Sequence, residues 1–162
     1  MKTIQRQGGW IILCTLLIAF VLDSIPLPPW LDHFRPDWLS LVMIYWCMAL
    51  PHRLGVGSAW TLGLLQDAAR GTLLGQNALA MTVVAYMTLK TYRRIRVFPL
   101  WQQAWSVLLL LLVKQLLLVW INGVVGYPPR DWWYLAPALG GMLLWPWLFI
   151  ILRDLRRHFQ VS

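Results

Sequence analysis

The chain has 162 residues, of which 59% are hydrophobic and only 12% charged, and its formal net charge is +8. A soluble domain carries about twice that charged share and cannot hide so much apolar surface, whereas a chain solvated by hydrocarbon has no need to. The basic excess would point to nucleic acid in a soluble protein, but here the basic residues sit between apolar runs, which argues against that partner. At ~20 apolar residues per membrane span, six spans joined by short loops nearly use up the chain and leave no room for a soluble catalytic domain.

The first apolar run follows Lys2 and Arg6. It lacks a small-residue cleavage site and more spans follow, so it reads as an uncleaved helix over 9–25 rather than a signal peptide. Asp23 and the prolines Pro26, Pro28 and Pro29 end it, because proline cannot continue a helix. Span two covers 36–50, with Pro36 in its first turn and Pro51 just past its end. Spans three and four cover 54–66 and 77–89. Span five, 100–121, is the clearest, with a leucine-rich centre, and span six covers 132–152. Spans two to four are short for a bilayer core of ~30 Å. They extend into their polar flanks, thin the bilayer or are partly re-entrant; four spans with one dipping hairpin is the alternative. The reading is one polytopic, all-α membrane domain over 1–162.

Orientation follows from the basic residues. With six spans, Lys2, Arg6, Arg53, Lys90, Arg93, Arg94, Arg96, Arg153, Arg156 and Arg157 share one side, against Arg35, Arg70 and Arg130 on the other. The richer side is assigned to the cytoplasm, which puts both termini there. Asp23, Asp32, Asp37, Asp67 and Asp131 fall on the opposite side. Trp10, Trp30, Trp38, Trp101, Trp120, Trp132 and Trp133 lie near span ends, where an amphipathic ring suits the headgroup level.

Lys114 is the one charge well inside a span, and an intramembrane charge is a functional candidate by default. It lies about seven residues, or roughly 10 Å, from the outer end of span five. Snorkelling, or a structural ion pair with Asp23 or Asp67, explains it better than transport. Asp67 stands in Gln66-Asp67-Ala68-Ala69-Arg70-Gly71-Thr72-Leu73-Leu74-Gly75. A turn in which Gly71 and Gly75 free the backbone and Asp67 caps or pairs with Arg70 outweighs a substrate or proton site. Gly55, Ala59 and Gly63 share a helical face and predict close helix packing.

Cys14 and Cys47 match no metal motif and read as small buried hydrophobes. His33, His52 and His158 have no metal spacing, Ser24, Ser40, Ser58 and Ser106 have no evident neighbouring base, and no phosphate loop occurs. The sequence therefore predicts no catalytic residue, cofactor or metal. The basic clusters at 90–96 and 153–157 suit anionic lipid, at ~1 kcal/mol per basic residue near the surface.

The run Phe34-Arg35-Pro36-Asp37-Trp38, then Tyr45-Trp46 and Leu50-Pro51-His52-Arg53-Leu54-Gly55, resembles the rod shape-determining MreD family. So do Gly63-Leu64-Leu65-Gln66-Asp67, Gly71-Thr72-Leu73-Leu74-Gly75, Ala78-Leu79-Ala80, Leu100-Trp101-Gln102-Gln103-Ala104 and Trp145-Pro146-Trp147 before a basic tail. The resemblance spans nearly the whole chain. It implies a non-enzymatic inner-membrane subunit of the bacterial cell-elongation machinery. That subunit would bind the bitopic protein MreC and link, directly or through it, to MreB filaments and the RodA–PBP2 peptidoglycan synthase. It also implies a six-helix fold similar to the substrate-binding components of energy-coupling-factor transporters, which raises a small-molecule or lipid transporter as the alternative. Those components carry Ala-xxx-Ala in their first helix, whereas Thr15 stands four positions before Ala19 here. Arg35, Pro36, Asp37, Pro51, His52, Arg53, Gly63, Asp67, Gly71, Gly75 and Lys114 are the candidate fold-defining or partner-binding positions. Self-association is open. A transporter would line a polar cavity with Gln66, Asp67, Asn77, Lys114, Gln115 and Asn122.

Overall fold

A computed structural model describes residues 9–25, 28–32, 37–50, 55–71, 74–126 and 136–158. Arg35, Pro36, Pro51, His52 and Arg53 lie outside the described residues. The described residues are all-helical: α1 (Gly9–Ser24), a single turn α2 (Pro29–Asp32), α3 (Trp38–Ala49), α4 (Val56–Arg70), α5 (Gln76–Ile95), α6 (Leu100–Val125) and α7 (Ala136–His158).

The centre of the bundle is α3. From Leu39 to Ala49 every residue is buried, against α1, α5, α6 and α7. At 1.5 Å per residue its 12 residues rise about 18 Å, well short of a bilayer core. A helix enclosed by protein on all sides has no need to match a hydrocarbon thickness. Trp46 Nε1 donates to Thr15 Oγ1 of α1 at 2.9 Å, and Trp145 Nε1 of α7 donates to Gln103 Oε1 of α6 at 3.4 Å. Both are interhelical links that satisfy a buried indole.

The outer helices face two ways. On α1, Ile11, Ile12, Thr15, Leu16, Ala19 and Asp23 point inward, and Leu13, Leu17, Ile18 and Val21 point out. On α6 and α7, Leu109, Leu116, Leu143, Trp147 and Ile151 are exposed. Large aliphatic side chains facing outward on three helices are a liability in water and the normal state in lipid. α6 and α7 are each long and apolar enough to cross a membrane, and α1 and α3 are shorter apolar helices. Cys47 is buried as expected, but Cys14 is exposed, because it sits on the outward stripe of α1 beside Leu13.

The helix ends differ from the sequence reading for local reasons. α4 continues to Arg70, where Gly71 in the left-handed region (φ 66°) stops it. α5 runs six residues past the expected end, since Lys90, Arg93 and Arg94 continue a helix and their charge suits its C-terminus. α6 gains a turn and stops at Gly126. α4 and α5 form the closest helix pair. A Cβ on Gly63 would lie 2.3 Å from Ala78 Cα, so the two backbones touch where only glycine fits. Of Gly55, Ala59 and Gly63, the last two mark packing within the bundle, Ala59 being fully buried, whereas Gly55 forms the N-cap of α4 and faces open space.

A buried polar network at two helix N-termini

The first turns of α3 and α5 lie at the same end of the bundle as the last turns of α1 and α4. A helix start leaves four backbone N–H groups without partners, and in lipid none can be left so. At α3, Trp38 N donates to Asp23 Oδ1 at 3.0 Å and Leu39 N to Asp23 Oδ2 at 3.2 Å. Ser40 N donates to Asp37 Oδ1 at 3.4 Å, and Leu41 N to the Asp37 carbonyl at 3.0 Å. The helix is thus capped by its own Asp37 and by a carboxylate from α1.

Two carboxylates at one helix end repel each other, and four groups offset that. Lys114 Nζ, from the middle of α6, donates to Asp37 Oδ2 and also to Ser40 Oγ, the latter at 2.7 Å. Ser40 Oγ in turn donates to Asp37 Oδ2 at 2.8 Å. Gln66 Nε2 bridges the pair, donating to Asp23 Oδ2 at 3.3 Å and Asp37 Oδ1 at 3.2 Å. Arg70 Nη2 lies 4.0 Å from Asp23 Oδ2, at the more open edge. Two acids therefore face two bases, and the assembly carries no net charge. Lys114 and Ser40 are completely buried.

Asp67 performs the second capping. Its carboxylate accepts from Gly75 N at 2.9 Å, Asn77 N at 3.0 Å, Ala78 N at 3.4 Å and Asn77 Nδ2 at 2.8 Å. A negative charge at these N–H groups also suits the helix dipole. Gly75 is left-handed (φ 98°), which turns the chain from α4 into α5 beneath the carboxylate. Gln76 Nε2 donates to Asn122 Oδ1 of α6 at 2.8 Å, so this turn is tied across the bundle.

Two sequence expectations need correcting. Lys114 forms its ion pair with Asp37, not Asp23 or Asp67, because the N-terminus of α3 is wedged against α6. Ser40 does have a basic neighbour, Lys114, brought from 74 residues away. A serine beside a lysine can serve as a nucleophile and base. Here the serine proton is given to Asp37, its oxygen accepts from the ammonium, and it has no exposed surface, so an attacking direction is closed. The capping role of Asp67 and the turn roles of Gly71 and Gly75 are as the sequence suggested. Asp23 and Ser40 join the candidate positions through this geometry. The spacing Asp37-x-x-Ser40 is a helix-start pattern, and it was the available signal for Ser40.

Polar groups gathered and hydrogen-bonded at the helix ends inside, with large apolar side chains turned outward, fit an α-helical membrane protein. The chain belongs to the MreD family: the model for rod shape-determining protein MreD matches residues 4–155. It is similar to the rod shape-determining protein MreD of Haemophilus influenzae, being 34% identical over 150 residues that cover 93% of each chain. No solved structure matches it significantly.

Proposed function

We propose that the chain is a non-enzymatic inner-membrane subunit of the bacterial cell-elongation complex, one that maintains rod shape by binding a partner helix. Its occupant is the single membrane helix of MreC, with RodA–PBP2 and MreB joined directly or through MreC. The observation that carries this reading is the family match over nearly the whole chain. The outward apolar faces of α1, α6 and α7 are compatible with it, since a partner helix can replace lipid there by van der Waals packing. α1, α3, α4, α5, α6 and α7 are the six crossings of this proposal, in a fold similar to the substrate-binding components of energy-coupling-factor transporters. Arg93 and Arg94 end α5 and Arg156 and Arg157 end α7, which favours a cytoplasmic location for that end and for both termini.

A second reading, a small-molecule or lipid transporter, is favoured by one feature. A cavity of ≈ 290 Å³ opens beside Asp23, Gln66 and Arg70. Gln66 Oε1 is buried there without a hydrogen bond. Shape complementation separates the two. In cells depleted of the native protein, the wild-type chain restores rods. Arg70→Gln, which alters the cavity rim, restores them equally on the scaffold reading. Failure of Arg70→Gln at normal membrane levels would favour the transporter.

A further inference from the structure

The opposite end of the bundle is built differently. A cavity of ≈ 490 Å³ lies between the end of α3, the α5–α6 junction and α7. Arg96, Arg153, Arg156 and Arg157 line it, and no carboxylate does so among the described residues. Tyr45 is 2% exposed, yet its hydroxyl reaches this cavity, and its O–H proton has no acceptor. Among the cations Arg156 acts on that hydroxyl most strongly and is within reach to donate to its oxygen, ahead of Arg153 and Arg157. The Tyr45 ring is fixed by edge contacts with Trp46 at 5.2 Å and Phe149 at 5.5 Å. Arg153 Cζ sits 6.0 Å from the centre of the Phe149 ring, and its Nε is buried without a hydrogen bond. Its neighbour Asp154 is 4.0 Å away, too far to satisfy it.

Buried donors without acceptors are uncommon in native structures and call for a partner. Several guanidinium groups and one phenol O–H, all donors turned on one space, suit an acceptor-rich anion, and phosphate oxygens match the guanidinium fork. The cavity also has apolar walls: Met48, Ala49 and Phe149. Beside Phe149 on α7, Ile150 and Ile151 are exposed to the surroundings. A free phosphate would leave those walls unused, whereas an acyl chain covers them.

We propose that this cavity binds the phosphate headgroup of an anionic lipid, held by Arg153, Arg156 and the Tyr45 hydroxyl with Arg96 and Arg157 at the mouth. The site is independent of the partner reading above. It differs from diffuse attraction to a charged surface in that defined donors, not net charge, set the affinity.

The test uses the full chain in neutral detergent, titrated with phosphatidylglycerol or phosphatidylcholine of equal acyl length, with occupancy read by native mass spectrometry. One equivalent of phosphatidylglycerol binds at least about tenfold more tightly than phosphatidylcholine. The Arg153→Gln/Arg156→Gln double variant abolishes that preference. Arg93→Gln/Arg94→Gln removes equal charge outside the cavity and preserves it. Tyr45→Phe keeps the ring and weakens binding about threefold. Equal losses in both double variants, or equal binding of the two lipids, would overturn the proposal. Saturation by inorganic phosphate alone, with lipid adding nothing, would overturn the lipid as its source. Tighter capture of a polyglutamate peptide than of either phosphate probe would overturn it in favour of an acidic protein segment.

Discussion

At the Asp37 end of the bundle the charges are enclosed and matched: Asp23 and Asp37 against Lys114 and Arg70, with Gln66 between. At the Tyr45 end four arginines and, among the described residues, no carboxylate line an open cavity, and donors are left without acceptors. The first arrangement fixes helix ends, its charges already matched to one another. The second leaves its valence for something outside the chain. In membrane proteins a buried ionisable group is usually taken as functional, and here the deepest one, Lys114, belongs to the end that holds the fold.

That comparison predicts a ranking of stability effects, read by thermal or steric-trap unfolding in detergent. Lys114→Met leaves Asp37 buried beside Asp23 without its cation and costs about 3–5 kcal/mol, far above the ~0.6 kcal/mol average of interhelical hydrogen bonds in membranes. Adding Asp37→Asn to that variant restores part of the loss. A loss below 1 kcal/mol would place Lys114 outside the structural framework. Gly63→Ala pushes α4 from α5 at Ala78 and costs about 1–3 kcal/mol. Gly57→Ala meets open space and should be neutral or stabilising by about 0.5–1 kcal/mol. Asp67→Ala removes the α5 cap and costs about 1–2 kcal/mol, with Asp67→Asn milder. Arg157→Gln, at the other end, changes stability by no more than about 0.5 kcal/mol. A large destabilisation there would erase the distinction between the two ends.

Much of this was legible in the chain. The leucine-rich run of α6 and the small-residue face ending at Gly63 gave their elements and packing directly, because hydrophobicity and side-chain size act locally. The turn from Asp67 to Gly75 was equally clear, since left-handed glycines and a capping carboxylate are short-range devices. The partner of Lys114 was not. Several aspartates lie toward the same side, and which one meets α6 depends on how α3 wedges into the bundle. Ser40 met Lys114 for the same reason, across 74 residues. The outward position of Cys14 was hidden because almost every residue of α1 is apolar, so hydrophobicity does not distinguish its two faces. The Tyr45 cavity joins α3, the α5–α6 junction and the end of α7, three segments whose convergence only the packed bundle reveals.

On the proposed function, the outward apolar surface works by receiving a partner helix. This is tested by photo-crosslinkers placed in living cells at Leu17 on α1, Leu109 on α6 and Leu143 on α7, all exposed positions. At least one face is expected to capture the membrane helix of the bitopic protein MreC, at a reproducible set of neighbouring positions. Recovery of lipid adducts alone from all three faces, with no bitopic protein, would contradict it.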